Sequence, residues 1–328
     1  MTFEDNQNGE RTDRATVPPP LWGRSTREAR REGDLRIPIL RSGVLAQQFC
    51  HSVARAKVEA VFARSLYLRH QDAFICIGEP AIGNGPLALI GDIGVLRLAL
   101  QPGDAATVCE RDITIGHSVR FTLDRSDVWR APPWPAGAPS ARLTEACAVL
   151  ARRAASQAPE GFARHVLARP GRDADETPLA RAVRTRVAMF ASWLSGLGDA
   201  GQAAVAPVQG LIGLGPGLTP SGDDFLVGAL AALDAIGESD AHAALATAVA
   251  NAAPGATAEL SAGFLRAAAA GHVGEPLYRA VASLLTGDAD TAVAAVANIG
   301  HSSGWDMMAG VATVLRISAA SRHDCSVS

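Results

Sequence analysis

Leu211–Leu230 reads LIGLGPGLTPSGDDFLVGAL, a string in which Gly213, Gly215, Gly217 and Gly222 are interleaved with Pro216 and Pro220 ahead of an apolar run. The prolines bar a helix through the first half of the string, and the apolar spacing after Asp224 calls for one in the second. Two starts satisfy the chemistry: Thr219 as N-cap with Pro220 at the first helical position, or Ser221 as N-cap with Asp224 as its partner in a capping box. With either, the glycines let backbone N–H groups turn toward one point at the positive end of the helix, the physical recipe for holding a small anion. Gly215, Gly217, Thr219, Ser221 and Gly222 are therefore candidate substrate-binding residues, and Asp223 and Asp224 candidate catalytic ones. The plainer reading is that Ser221 only caps and the two acids only complement the macrodipole.

The string has an internal echo. Ser221–Gly228 aligns without gaps on Ser303–Gly310, with identities at Ser221/Ser303, Gly222/Gly304, Asp224/Asp306 and Gly228/Gly310. A second helix that opens in the same way adds Ser302, Ser303 and Gly304 to the binding candidates and Asp306 to the catalytic ones. Two such helices aimed at one pocket would place two sets of donors and two acids around a single phosphorylated or dicarboxylate-like ligand. Because carboxylates repel an anion, the aspartates are expected to bind a metal, orient an arginine, accept a proton or hold the caps. Chance likeness of two capped helices is the alternative, since S-x-x-D caps are common.

His301 stands directly before this second motif, where a helix N-terminus favours a neutral imidazole fit for proton exchange; it is the fourth catalytic candidate, or else merely bonds a loop carbonyl. His51 with Ser52 reads as structural, and His272 as a helix C-terminal cap. Asn84-Gly85-Pro86 is first of all a turn between strands, and Asn84 joins the binding candidates if that turn faces the helical half. Thr257 and Ser261, at i, i+4 spacing, bond back to their own helix or line a pocket.

Outward from the two motifs, helical periodicity runs through Leu143–Arg153, Leu179–Leu194, Asp223–Ile236, Ala241–Ala252, Ala256–Ala270, Leu277–Leu285, Thr291–Ala297 and Asp306–Ala319. Their alanine and glycine faces allow close approach, so a compact bundle of about seven or eight helices is expected. The first half reads differently: Phe74–Ile77, Leu87–Ile90, Val95–Leu100 and Val119–Leu123 are short runs bounded by Gly, Pro, Asn and Asp, which are strand signals. An α+β chain follows, with a β-rich N-terminal half packed against an alanine-rich helical C-terminal half. Its expected parts are a disordered arm over 1–34, a β-rich domain over 35–125, a proline-rich linker over 126–140 and a helical domain over 141–322.

With 48% hydrophobic and 19% charged residues the chain has enough apolar content for a real core, and a net charge of −3 argues against nucleic acid as a main partner. Lys57 is the single lysine, which excludes a P-loop phosphate site and leaves anions to arginine forks, hydroxyls and backbone N–H groups. Five scattered cysteines without a CxxC argue against a disulfide framework or zinc knuckle, and the eight histidines offer no HxH or HExxH pair. With no apolar leader and no membrane span, a cytoplasmic location and no membrane partner are expected. No cofactor is expected; a divalent metal, were one used, would sit at Asp223/Asp224, which a single carboxylate pair does not establish.

The stretch LIGLGPGLTPSGDDFLVG, the later NIGHSSGWDMMAG and the NGP of the first half together resemble the AllH-like family over about residues 36–320. That resemblance implies a subunit of oxamate carbamoyltransferase, acting with two other proteins in anaerobic allantoin use, a branch of purine and ureide degradation. The implied transferase reaction exchanges a carbamoyl group between oxalurate and carbamoyl phosphate, with oxamate and phosphate as the other partners. All of these are small anions, in agreement with the helix-start reading, and partner subunits in a multisubunit complex are implied as well. Two alternatives stand beside it: a metabolite-binding accessory subunit without its own chemistry, and a small-molecule or carbamate phosphotransferase, against which the missing phosphate-clamping lysine counts.

Overall fold

The computed structural model describes residues 35–94, 100–117, 119–137, 140–167, 177–196, 205–297 and 299–325. The expected arm over 1–34 and most of the expected strand at 95–100 lie outside them.

Strands β1 (Leu35–Gly43), β2 (Arg55–Val61), β3 (Ser65–His70), β4 (Ala73–Gly78), β5 (Ala88–Gly91), β6 (Ala105–Val108), β7 (Asp112–Ile115), β8 (Val119–Thr122) and β9 (Asp127–Trp129) form one sheet in the order β5-β4-β3-β2-β6-β7-β8-β1-β9. The further pairing of β5 with β1 closes the first eight into a barrel. Closure comes from the length of β1: it lies parallel to β8 over Leu35–Pro38 and then parallel to β9 from Arg41, while its other edge takes β5 antiparallel at Ile39–Ser42. Strand alternation sets the interior. In β2, Ala56, Val58 and Ala60 are buried while Arg55, Lys57 and Glu59 face out. Phe49 and Cys50 of helix α1 (Val44–Ser52) join Ile39, Leu68, Ile77, Ile113 and Phe121 in the barrel core.

Ten further helices follow: α2 (Ser140–Gln157), α3 (Phe162–Leu167), α4 (Pro178–Ser195), α5 (Val205–Gln209), α6 (Ser221–Ala235), α7 (Ser239–Ala252), α8 (Glu259–Ala269), α9 (Glu275–Leu285), α10 (Ala289–Val296) and α11 (Ser303–Cys325). All eight expected helices are present, and the short α1, α3 and α5 are additional. Every residue of α6 from Gly222 to Leu233 is buried, as befits a helix apolar on all sides. It forms the axis of the bundle, with Phe225 edge-on to Phe162 at 5.7 Å and to Phe190 at 5.2 Å.

Among the described residues the two halves meet at three places. Phe74 of β4 meets Phe264 of α8 at 5.2 Å, and the backbone at Gly263 lies so close to the Phe74 ring that a Cβ there would overlap it. Trp134 stacks on Tyr278 at 4.7 Å and donates its indole N–H to Asp234. The Asn84 turn docks on the start of α9: Glu275 Oε2 accepts from the Asn84 backbone N–H at 3.0 Å and from its side-chain Nδ2 at 2.5 Å, and the Glu275 N–H returns a bond to Asn84 O. The segment read as a linker carries β9 at its start and Trp134 in its middle, so it serves as an edge strand and then as a strut.

Candidate functional site

The two SGxD helices meet. The Thr219 hydroxyl lies 3.2 Å from that of Ser303, and the two helices pack in contact. Their contact is reciprocal: a Cβ on Gly228 of α6 would strike the carbonyl oxygen of Met307 in α11, and one on Gly310 of α11 would strike that of Phe225 in α6. Met307 and Phe225 occupy matching places in the two copies, so the pair has pseudo-twofold character, with the two N-termini side by side.

The equivalence extends upstream of the echo legible in the sequence. Gly222 N–H bonds to Leu214 O at 2.8 Å and Gly304 N–H to Ile299 O at 3.0 Å; Leu214 N–H bonds to Leu211 O and Ile299 N–H to Val296 O, both at 3.0 Å. Gly215 and Gly300 then match, each with positive φ, 119° and 57°, and each pressed on the following serine, where a Cβ would lie 2.8 Å from Ser221 N and 3.1 Å from Ser303 Oγ. The first copy inserts Pro216–Pro220 where the second has only His301 and Ser302.

Neither expected cap forms. The N-cap of α6 is Pro220, with no side-chain capping bond. The hydroxyls face the acids instead: those of Ser303 and Thr219 favour the charged form of the Asp224 carboxyl, and those of Ser221 and Ser302 that of Asp306. Each serine that opens a helix thus serves the aspartate of the opposite helix. The N–H cradle is also largely consumed within the fold, since Gly222 and Gly304 bond to loop carbonyls and the N–H groups of Asp223 and Asp224 to Pro220 O.

The three acids differ in their surroundings. Asp223 is 0% exposed and fully engaged: Oδ1 accepts the Gly213 N–H at 2.8 Å, and Oδ2 accepts the hydroxyls of Thr257 and, at 2.6 Å, Ser261. It braces the glycine loop against the start of α8, which accounts for the hydroxyls of Thr257, just ahead of that helix, and Ser261 within it. Asp223→Asn is expected to cost about 1–2 kcal/mol in urea unfolding, since one acceptor oxygen for two buried hydroxyls is lost.

Asp224 and Asp306, 3% and 1% exposed, each keep a buried Oδ2 without a hydrogen-bond partner. Burial pushes the Asp224 carboxyl well above its ordinary 3.8; the Ser303 hydroxyl works against this, and repulsion from Asp306 and Asp223 adds to it. Burial raises Asp306 as well, opposed by the hydroxyls of Ser221 and Ser302 and by the Ala163 N–H, which reaches Oδ1 at 3.0 Å. Asp223 and Asp224, the place expected for a metal, have different neighbours: Gly213, Thr257 and Ser261 for Asp223, and Ser303 and Thr219 for Asp224. Among the described residues no group of three or more His, Cys, Asp or Glu is placed to hold a metal ion.

Around these acids Thr219, Ser221, Ser302 and Ser303 are half-buried, Gly215, Gly217 and Leu218 are exposed, and His301 is exposed beside Ser302. Asn84 is held by Glu275 in the junction of the two halves. Ala163 and the hydroxyls of Thr257 and Ser261 are parts of the site that local sequence reading did not connect to it, because they reach it only through tertiary packing.

The fold and site define an α+β protein whose helical half is built around a duplicated helix start with an enclosed acid pair. Residues 211–315, which hold both copies, match the family model described as oxamate carbamoyltransferase subunit AllH. The resemblance seen in the sequence is thus shown for this segment, a narrower span than 36–320. Neither the curated proteins nor the solved structures contain a match to the chain. No helix among the described residues is long and apolar enough to cross a membrane.

Proposed function

We propose that the twin helix starts are the substrate edge of a carbamoyltransferase subunit of the oxamate carbamoyltransferase type, which works with partner subunits on carbamoyl phosphate and oxamate or oxalurate. The observation that carries this reading is the crossed pairing of hydroxyls and acids at Thr219–Ser303, together with the family match over the same residues. Burial resolves the conflict between acids and an anionic ligand. A neutral Asp224 carboxyl donates its proton to Ser303 Oγ, which frees the serine O–H to point outward as a donor. An ionised carboxylate would draw that O–H inward and present lone pairs to the anion.

The two acids differ enough to divide the work. Asp306, which accepts a backbone N–H, is the better base, and the more strongly perturbed Asp224 the better acid. In carbamoyl transfer the amide nitrogen of oxamate forms a bond to the carbamoyl carbon while the bond from that carbon to the phosphate oxygen breaks. The nitrogen's proton passes through Ser221 to Asp306, and the proton of Asp224 passes through Ser303 to the departing phosphate. Both aspartates are positioning residues in this scheme, because the hydroxyls stand between them and the ligand.

That enclosure favours a second reading, in which this chain holds the metabolite and a partner supplies the chemistry. Calorimetric titration with carbamoyl phosphate and with oxamate tests the shared claim. Ser221→Ala with Ser303→Ala is expected to weaken binding at least about 10-fold, the effect of losing one or two hydrogen bonds to a charged ligand. Unchanged binding would remove the ligand from the tips. Turnover by the isolated chain, or only after partner subunits are added, then separates the two readings.

A further inference from the structure

We infer that the barrel carries a second anion site, on its outer wall, that takes a small phosphate-bearing ligand independently of the helix tips. A concavity of about 310 Å³ lies over β2, β3 and the turn that follows, lined by Arg55, Lys57, Glu59, Arg69, His70 and Gln71. Strand alternation puts Arg55, Lys57 and Glu59 on the outer face of β2, and the register sets Lys57 directly opposite Arg69. Like charges facing one another across a ladder oppose pairing, so sequence and fold maintain this juxtaposition against a cost in stability.

Arg69 is fixed as the floor of the groove. Its Nε donates to Glu59 at 2.9 Å and its Nη1 to the carbonyl of Gln71 at 3.1 Å. Gln71 has φ 53°, the single non-glycine residue with positive φ among those described, because it opens the two-residue hairpin turn between β3 and β4. Glu59 thereby balances Arg69 alone. Arg55 and Lys57 have no ion-pair partner among the described residues, which leaves two uncompensated cations in one concavity. Lys57 is also the only lysine of the chain, whose other fixed cations are all arginine. A compact ammonium on a flexible stem can follow a small rotating anion where a planar guanidinium is restricted to fork geometry. The volume admits a phosphoryl group with a small attachment, and two unpaired cations match a dianion.

The test is calorimetric titration of the full chain with inorganic phosphate and with pyrophosphate at fixed ionic strength. Lys57→Gln and Arg55→Gln are each expected to weaken binding about 10-fold or more, Lys57→Arg to keep part of it, and Arg111→Gln, an exposed arginine elsewhere on the barrel, to leave it unchanged. Ser221→Ala with Ser303→Ala should not affect this site, so failure here and failure of the tip reading are separable. Unfolding curves of each variant verify the fold. Equal affinity in Lys57→Gln, Arg55→Gln and the parent, a loss in Arg111→Gln as large as theirs, or no binding by the parent would each overturn the proposal.

Discussion

Gly228→Leu is expected to destabilise the helical half by about 3 kcal/mol or more, the upper range for an overpacked core, and Gly310→Leu to do the same. At both positions the obstacle is a backbone carbonyl of the facing helix, Met307 O for Gly228 and Phe225 O for Gly310, which no rotamer change can relieve. The helices must separate, and the separation acts on the most buried element of the protein, since α6 is enclosed from Gly222 to Leu233. It also parts Thr219 from Ser303, so ligand binding at the tips should fall with stability. Gly228→Ala brings the same clash with one carbon and should cost about 1–3 kcal/mol. Gly137→Ala, where a Cβ would meet nothing within 4 Å, is the matched control and should stay within about 0.5 kcal/mol. Urea unfolding followed by circular dichroism measures all four. A Gly228→Leu protein as stable as its parent would show that α6 and α11 do not pack through their glycines.

The periodicity that separates the two halves, and the echo of Ser221–Gly228 in Ser303–Gly310, are legible because they rest on local rules: the spacing of apolar residues, and glycines and hydroxyls at fixed positions before a helix. Most strands were less legible. RAKVEAV of β2 alternates cleanly, yet its meaning depends on β6 as a neighbour, and the closure of β1 on β5 joins residues about fifty positions apart. The upstream part of the repeat is hidden because Leu211, Leu214 and Gly215 match Val296, Ile299 and Gly300 across an insertion. Adjacent Asp223 and Asp224 look interchangeable in the string, but consecutive side chains on a helix diverge by about 100°. One meets α8 and is consumed as a brace, and the other meets the opposite helix start. The S-x-x-D pattern suggested a capping box for the same reason: within one helix Ser221 and Asp224 are suitably spaced, and only packing reveals that each faces across to the other copy.

Asp224→Asn is expected to separate binding from turnover. A carboxyl that holds its proton more tightly in the folded state than in the unfolded one adds stability at low pH and withdraws it as the pH climbs, because ionisation is cheaper in the unfolded chain. With Asp224 and Asp306 both raised above the ordinary 3.8, stability should decline as the pH rises above that value, and anion affinity at the tips should decline as Asp224 ionises and the Ser303 hydroxyl turns inward. Asparagine keeps the shape and supplies a fixed N–H toward Ser303, so Asp224→Asn should bind carbamoyl phosphate with little pH dependence and unfold with a flatter pH profile than the parent. It cannot release a proton. If the hydroxyl relay carries the leaving group's proton, kcat in the reconstituted complex falls about 10²–10⁴-fold, the usual range for losing a general acid, while KM changes little. Asp306→Asn should depress kcat similarly by removing the base, with a weaker effect on the pH dependence of binding, since the perturbation there is smaller. Full turnover in Asp224→Asn would leave the acid pair a structural feature and assign the chemistry to a partner subunit.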